Sequence, residues 1–321
     1  MKTVVNVRTA TKRIALLLGN GLVLVSLVYI VRKIFSFDLD LSFLSQPTIL
    51  LSLIFFSFIS CGMVYITAYS WKQILAFLSQ KKIPFKSVGL LYAKSNLGKY
   101  LPGNIMHFVG RNLLGSSLEV SQAHIALSSL LETLFIFLVA LGWSLTLSGK
   151  EFLDYTQKIL HEYLNHPFIF IIVLTSLGIF SVALFIYFKK DLIIQYKERT
   201  NSREILKLFL QLLFLYSTFF LVQGMVLSSI IGWSIDVNIS TALHIISAFS
   251  VAWILGFVVP GAPGGIGIRE MALLFMLSDI CCSEVLLSAI IVQRLISILG
   301  EVLAYLLSEA IVRWRCTHLE E

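Results

Sequence analysis

The sequence predicts an all-α, polytopic membrane helix bundle with six full spans, two re-entrant Pro/Gly-broken hairpins and an inverted internal repeat. Three observations predict it. The 321 residues are 57% hydrophobic and only 13% charged, where a soluble domain carries about 25% charged residues. The apolar residues come in runs of bilayer length. Two further apolar runs are each broken near their middle by the same Pro-Gly pattern.

The full spans are expected at roughly 14–35, 48–71, 123–147, 167–188, 207–232 and 285–308, each near the ~20 residues that cross a hydrocarbon core. The first follows Lys2, Arg8, Lys12 and Arg13 and is closed by Arg32 and Lys33. No small-x-small cleavage site follows it, so it is read as a retained helix rather than a signal peptide. The whole chain, 1–321, reads as a single membrane domain with repeat halves at about 14–148 and 167–308.

Basic residues give the orientation. Lys2, Arg8, Lys12 and Arg13, then Lys72, Lys81, Lys82 and Lys86, then Lys189, Lys190, Lys197, Arg199, Arg203 and Lys207, and finally Arg313 and Arg315 fall on one side. The opposite loops hold only Lys150 and Lys158. That asymmetry puts both termini in the cytoplasm, with Arg32 and Lys33 counting mildly against it. The net charge of +7 thus sits beside apolar runs, where it sets topology and meets anionic lipid. No compact basic domain exists for nucleic acid. Cys61, Cys281, Cys282 and Cys316 form no metal-ligand spacing with a histidine and read as small apolar residues.

The broken stretches are roughly 87–116 and 242–280. The first contains GKYLPGNIMHFVGR, the second GFVVPGAPGGIGIR: in each, Gly-x3-Pro-Gly is followed by Arg nine residues after the Pro. The charge asymmetry requires each stretch to enter and leave on one side, the first from the cytoplasm and the second from outside. Corresponding broken helices in inverted repeats mark a midplane substrate site in secondary transporters. Pro removes a backbone donor and Gly frees the backbone, so the helix breaks there. The half-helices beyond the breaks would aim unpaired N–H groups and positive dipole ends at an anion.

The expected substrate-binding residues are Lys99, Pro102, Gly103, Asn104, Arg111, Glu132, Pro260, Gly261, Gly264, Gly265, Arg269 and Arg294. Arg111 and Arg269 would hold a phosphate bidentately. Aligning the two halves with a four-residue gap sets Glu132 opposite Arg294; Glu132 is either the partner of an Arg or the acceptor of a headgroup amine. Asn104 reads first as a half-helix cap, Glu270 as a complement to a helix dipole, and His107 as a hydrogen-bonded structural residue. Glu301 adds another ionisable group inside a span. Trp71, Trp233 and Trp314 read as interfacial anchors. No catalytic residue, cofactor or metal site is expected.

At GKYLPGNIMHFVGR and VVPGAPGGIGIRE the chain resembles the transmembrane region of the lysylphosphatidylglycerol synthetase family, the flippase-like integral membrane proteins. The second segment matches a P-G-x-P-G-G-x-G-x-R-E signature, and Glu132 and Arg294, each in the helix after a hairpin, are similar too. The resemblance implies translocation of a phospholipid, aminoacyl-phospholipid or polyprenyl-phosphate lipid across the plasma (bacterial inner) membrane. Fused relatives carry a soluble synthetase domain; this chain ends about a dozen residues past its last span, so a non-enzymatic protein and a separate lipid-modifying enzyme are expected. Two alternatives stay open. One is a polyprenyl-phosphate-dependent glycosyltransferase using Asp38 and Asp40. The other is a structural membrane subunit.

Overall fold

A computed structural model describes residues 28, 47–101, 105–163, 202–258 and 263–318. Helix α1 (Pro47–Ser79) is followed by α2 (Phe85–Asn96), a 3-10 turn (Leu97–Tyr100), α3 (Met106–Gly115), a second 3-10 turn (Ser116–Leu118) and α4 (Gln122–Tyr163). After residue 201 come α5 (Ser202–Ile231), α6 (Ile239–Val258), a 3-10 turn (Pro263–Gly265), α7 (Ile268–Met276) and α8 (Ser283–His318). The described residues are all-helical.

Five stretches within these helices are long and apolar enough to cross a bilayer: Ile49–Ser79, Gln122–Leu147, Ser202–Ile231, Ile239–Phe257 and Ser283–Trp314. They mark the chain as an integral membrane protein. Four coincide with expected spans. The other two expected spans, 14–35 and 167–188, lie outside the described residues, as do Asp38 and Asp40.

Two expectations need correction. The second broken stretch is expected to hold no full span, yet α6 alone runs 20 residues and is of spanning length. From Ile239 to Val258 it holds no Pro and no Asp, Glu, Lys or Arg, so helix propagates to the edge of the Pro260 segment. The first stretch has only the 12 residues of α2 before its turn. The region after the third span is also not a loop. Helix α4 continues to Tyr163, 42 residues in all, or about 63 Å at 1.5 Å per residue. That exceeds the bilayer core, and Lys150, Glu151, Asp154 and Lys158 sit on the excess length.

Local chemistry starts and ends the helices. Ser121 Oγ accepts from the His124 backbone N–H (3.2 Å) ahead of α4, and Asn238 Oδ1 accepts from the Thr241 N–H (2.8 Å) ahead of α6. Both satisfy orphan donors at helix N-termini. Gln80 ends α1 in the left-handed region (φ 53°).

The main packing partners are α1 with α8, α4 with α6, and α5 with α6. In addition α1 packs on α2, α4 and α5; α8 packs on α2, α5 and α7; α2 packs on α3, α3 on α4, α4 on α5, and α6 on α7. Glycines permit the closest crossings. A Cβ on Gly300 of α8 would lie 2.5 Å from Ser60 Cβ and 2.8 Å from the Cys61 backbone N on α1. One on Gly224 of α5 would lie 2.9 Å from Ile246 Cα on α6. The larger apolar core joins α1, α4, α5, α6, α7 and α8 around Tyr216, Phe220 and Ile245. A second gathers around Trp71, Val88 and Ile125.

Candidate functional site: a charged cavity between two broken helices

The described turns beside the two breaks meet. The turn Leu97–Tyr100 packs on the turn Pro263–Gly265, and a Cβ on Gly264 would come 3.0 Å from the Tyr100 ring. Beside this contact lies a cavity of about 140 Å³. It is lined by Lys99, Arg111, Glu132, Gly264, Arg269, Arg294 and Glu301 among others. Of the expected site residues, Lys99, Arg111, Glu132, Gly264, Arg269 and Arg294 are therefore brought to one place. Gly265 sits behind Arg269, while Pro102, Gly103, Asn104, Pro260 and Gly261 lie outside the described residues.

Arg111, on α3, is 2% exposed and pairs through Nη1 with Glu132 of α4. Its guanidinium lies 4.2 Å from the Tyr92 ring centroid and 5.2 Å from that of Trp71. Tyr92 Oη donates to the other carboxylate oxygen of Glu132 at 2.7 Å. Glu132 is thus occupied by an Arg and a phenol. Arg111 lines the cavity with its guanidinium already paired to Glu132. Trp71 is also not an interfacial anchor: it is fully buried and forms the floor under Arg111. Trp233 and Trp314 are exposed near helix ends.

Arg294, on α8, donates through Nε to Glu270 Oε1 at 2.6 Å and through Nη2 to the Gly264 carbonyl at 3.2 Å. Glu270 Oε2 accepts the Gly267 N–H at 2.6 Å, in the first turn of α7. The carboxylate therefore caps the half-helix, as expected, and also anchors Arg294. Lys99 pairs with Glu301 of α8, and Glu301 Oε2 has no further partner.

Arg269 differs. It pairs with no carboxylate among the described residues; its Nε, like that of Arg111, is buried without a hydrogen-bond partner. Its guanidinium packs over Trp253, 5.4 Å from the ring centroid, and Trp253 stacks on Phe257 at 5.5 Å and 2°. Two glycines make room for it. A Cβ on Gly256 would strike its side chain, with Nε at 2.6 Å. A Cβ on Gly265 would meet Nε at 2.7 Å and the Gly256 carbonyl at 2.8 Å. Gly265 has φ +72°, a conformation that favours glycine. In the second copy, then, the first Gly and the Arg of the repeated pattern touch.

His107 is buried, and its Nδ1 has no partner, so the hydrogen bond expected there is not made at that nitrogen. Also in the lining, Gln223 Nε2 donates to Ser60 Oγ at 3.2 Å, and Gln293 Nε2 to Gln223 Oε1 at 3.5 Å. This relay ties α1, α5 and α8 at the cavity. Sequence reasoning passed over Trp253, Tyr92, Tyr100 and Gln223 as site residues. The usable signal was an aromatic about one helical turn before the patterned glycine in the second copy: Trp253 precedes Gly256 by three positions.

A guanidinium over an indole face, beside a cavity inside helices of membrane-crossing length, is able to bind an anion. Arg offers planar, paired donors, and the low-polarity surroundings strengthen the attraction. No family model, curated protein or solved structure matches the chain.

Proposed function

We propose that the protein is a lipid translocator, moving an anionic, phosphate-bearing lipid between leaflets, with its headgroup held at Arg269. The observation that carries this reading is the guanidinium of Arg269, which lines the cavity between the two broken helices and pairs with no carboxylate among the described residues. Ionisable groups at membrane depth are costly and mark substrate paths. One without an ion pair among the described residues, yet held by Trp253, Gly256 and Gly265, is fitted for a counterion from outside the chain.

A twofold correspondence in the helix packing supports the same reading, as an inverted repeat would produce. The sets α1–α4 and α5–α8 follow the same order: long helix, broken pair, long helix. When the sets are exchanged, each main packing has its counterpart: α1 on α8 with α5 on α4, α2 on α8 with α6 on α4, and α1 on α2 with α5 on α6. The pairs α3–α4 with α7–α8 and α1–α4 with α5–α8 follow suit, and α1–α5 maps onto itself. Transporters built this way bind substrate at the repeat interface and alternate access by moving one repeat against the other. The two pairs enter from opposite faces, with both termini cytoplasmic and the plasma membrane as the site of action. The family resemblance at the two Pro-Gly segments points to the same class of activity.

The purified chain, reconstituted into vesicles, is expected to accelerate leaflet exchange of a fluorescent phosphatidylglycerol, read by quencher accessibility. Arg269→Gln is expected to cut that rate at least tenfold, about 1.4 kcal/mol in the barrier. An Arg269→Gln protein that inserts and moves the lipid at the wild-type rate would refute the assignment.

A further inference from the structure

We infer that the cavity selects a monoanionic phosphodiester headgroup and discriminates against a phosphomonoester that carries two charges. This rests on the lipid-binding reading above and goes on to specify the substrate's charge. Among the described residues, the cations at the cavity are Lys99, Arg111, Arg269 and Arg294. Three described carboxylates face them: Glu301 takes Lys99, Glu132 takes Arg111 and Glu270 takes Arg294. Counted over these seven side chains, the formal sum is +1, and it resides on Arg269.

The three pairs are fastened, so they do not supply spare positive charge. Glu132 is also held by the Tyr92 hydroxyl. Glu270 is bound to the Gly267 N–H, and Arg294 to the Gly264 carbonyl. Drawing Arg111 or Arg294 towards a second phosphate charge would leave a buried carboxylate bare, which is strongly unfavourable. The Lys99–Glu301 pair is the loosest: the lysine is 24% exposed, and one oxygen of Glu301 has no partner. One negative charge matches Arg269; a second meets no free cation.

The test uses the full chain in a non-ionic maltoside detergent at pH 8, where a phosphomonoester is doubly ionised. Calorimetry compares dihexanoyl phosphatidylglycerol, dihexanoyl phosphatidic acid and glycerophosphoglycerol, which has the first lipid's headgroup without acyl chains. The expected result is at least tenfold tighter binding of the phosphatidylglycerol than of the phosphatidic acid. Arg269→Gln should weaken the phosphatidylglycerol at least tenfold. Glu301→Gln frees Lys99, raises the sum to +2 and should shift the affinity ratio towards phosphatidic acid by at least threefold. Because a ratio is measured on one sample, partial misfolding does not disguise it. Equal or tighter binding of phosphatidic acid to the wild type, or a ratio unmoved by Glu301→Gln, overturns the charge selection and leaves the translocator standing. Phosphatidylglycerol binding untouched by Arg269→Gln overturns the site itself, and glycerophosphoglycerol binding as tightly as the lipid removes the lipid from the proposed function.

Discussion

Neutralising Glu132, the partner of Arg111, and neutralising Arg269 should have unequal effects on stability. Arg111 and Glu132 form an ion pair in which both side chains are 3% exposed. Glu132→Gln leaves the guanidinium buried without its counterion and weakens the acceptor for Tyr92. Removing one partner of such a pair costs about 3–5 kcal/mol, and weakening the Tyr92 bond adds to it, since a hydrogen bond to a charged group is worth about 1.5–3 kcal/mol. Arg269→Gln removes a partly buried cation that pairs with no carboxylate among the described residues. Its contact with Trp253 contributes about 0.5–2 kcal/mol, which relief from desolvating an unpaired charge offsets. The expected change is within about 1 kcal/mol of zero, and stabilisation is allowed. Both variants are to be unfolded from mixed micelles by titration with a denaturing detergent, together with Glu132→Gln/Arg111→Gln. The double variant should recover at least about 2 kcal/mol of the loss, because it removes the stranded charge. If Arg269→Gln destabilises as much as Glu132→Gln does, Arg269 has a counterion in the fold, and the reasoning that makes it a ligand fails.

Two glycine substitutions test the close approaches. Gly265→Ala places a Cβ 2.8 Å from the Gly256 carbonyl and 2.9 Å from its Cα, at φ +72°. Steric conflict with backbone plus the left-handed conformation should cost about 2–4 kcal/mol, and an unchanged melting profile would show that the α6 end and the 3-10 turn are not in contact. Gly300→Ala drives a methyl against Ser60 and the Cys61 backbone at the α1–α8 crossing. An expected loss of about 1–3 kcal/mol is readable by the same detergent titration, and wild-type stability would place that crossing elsewhere.

Legibility in the sequence varied with the range of the interaction. Four expected spans rest on uninterrupted apolar runs, which any helix in lipid must have, and they coincide with long helices. The spanning length of α6 was not expected, because the Pro-Gly break at its end made the whole stretch read as a re-entrant hairpin. Trp71 was misread because its position beside Lys72 resembles a span end. In the fold, α2 and α3 cover it and set Arg111 on its face.

The residue sequence by itself determined that this chain is helical and membrane-embedded, that helices stop near two Pro-Gly pairs, and that cations outnumber acids around them. Those properties follow from composition, from local backbone sterics and from periods of a few residues. Only the tertiary structure decided which cations are neutralised. Lys99 meets Glu301 across 202 positions, and Gln223 meets Ser60 across 163. Such contacts depend on how helices dock, which no local spacing encodes. Arg111 and Arg269 hold equivalent places in the pattern, yet the first finds a carboxylate on the next helix and the second finds an indole. The physical difference is one residue type on the following span: Glu132 in one half, and in the other Arg294, itself held by Glu270. Among the described residues, that leaves Arg269 the cavity cation without a carboxylate partner.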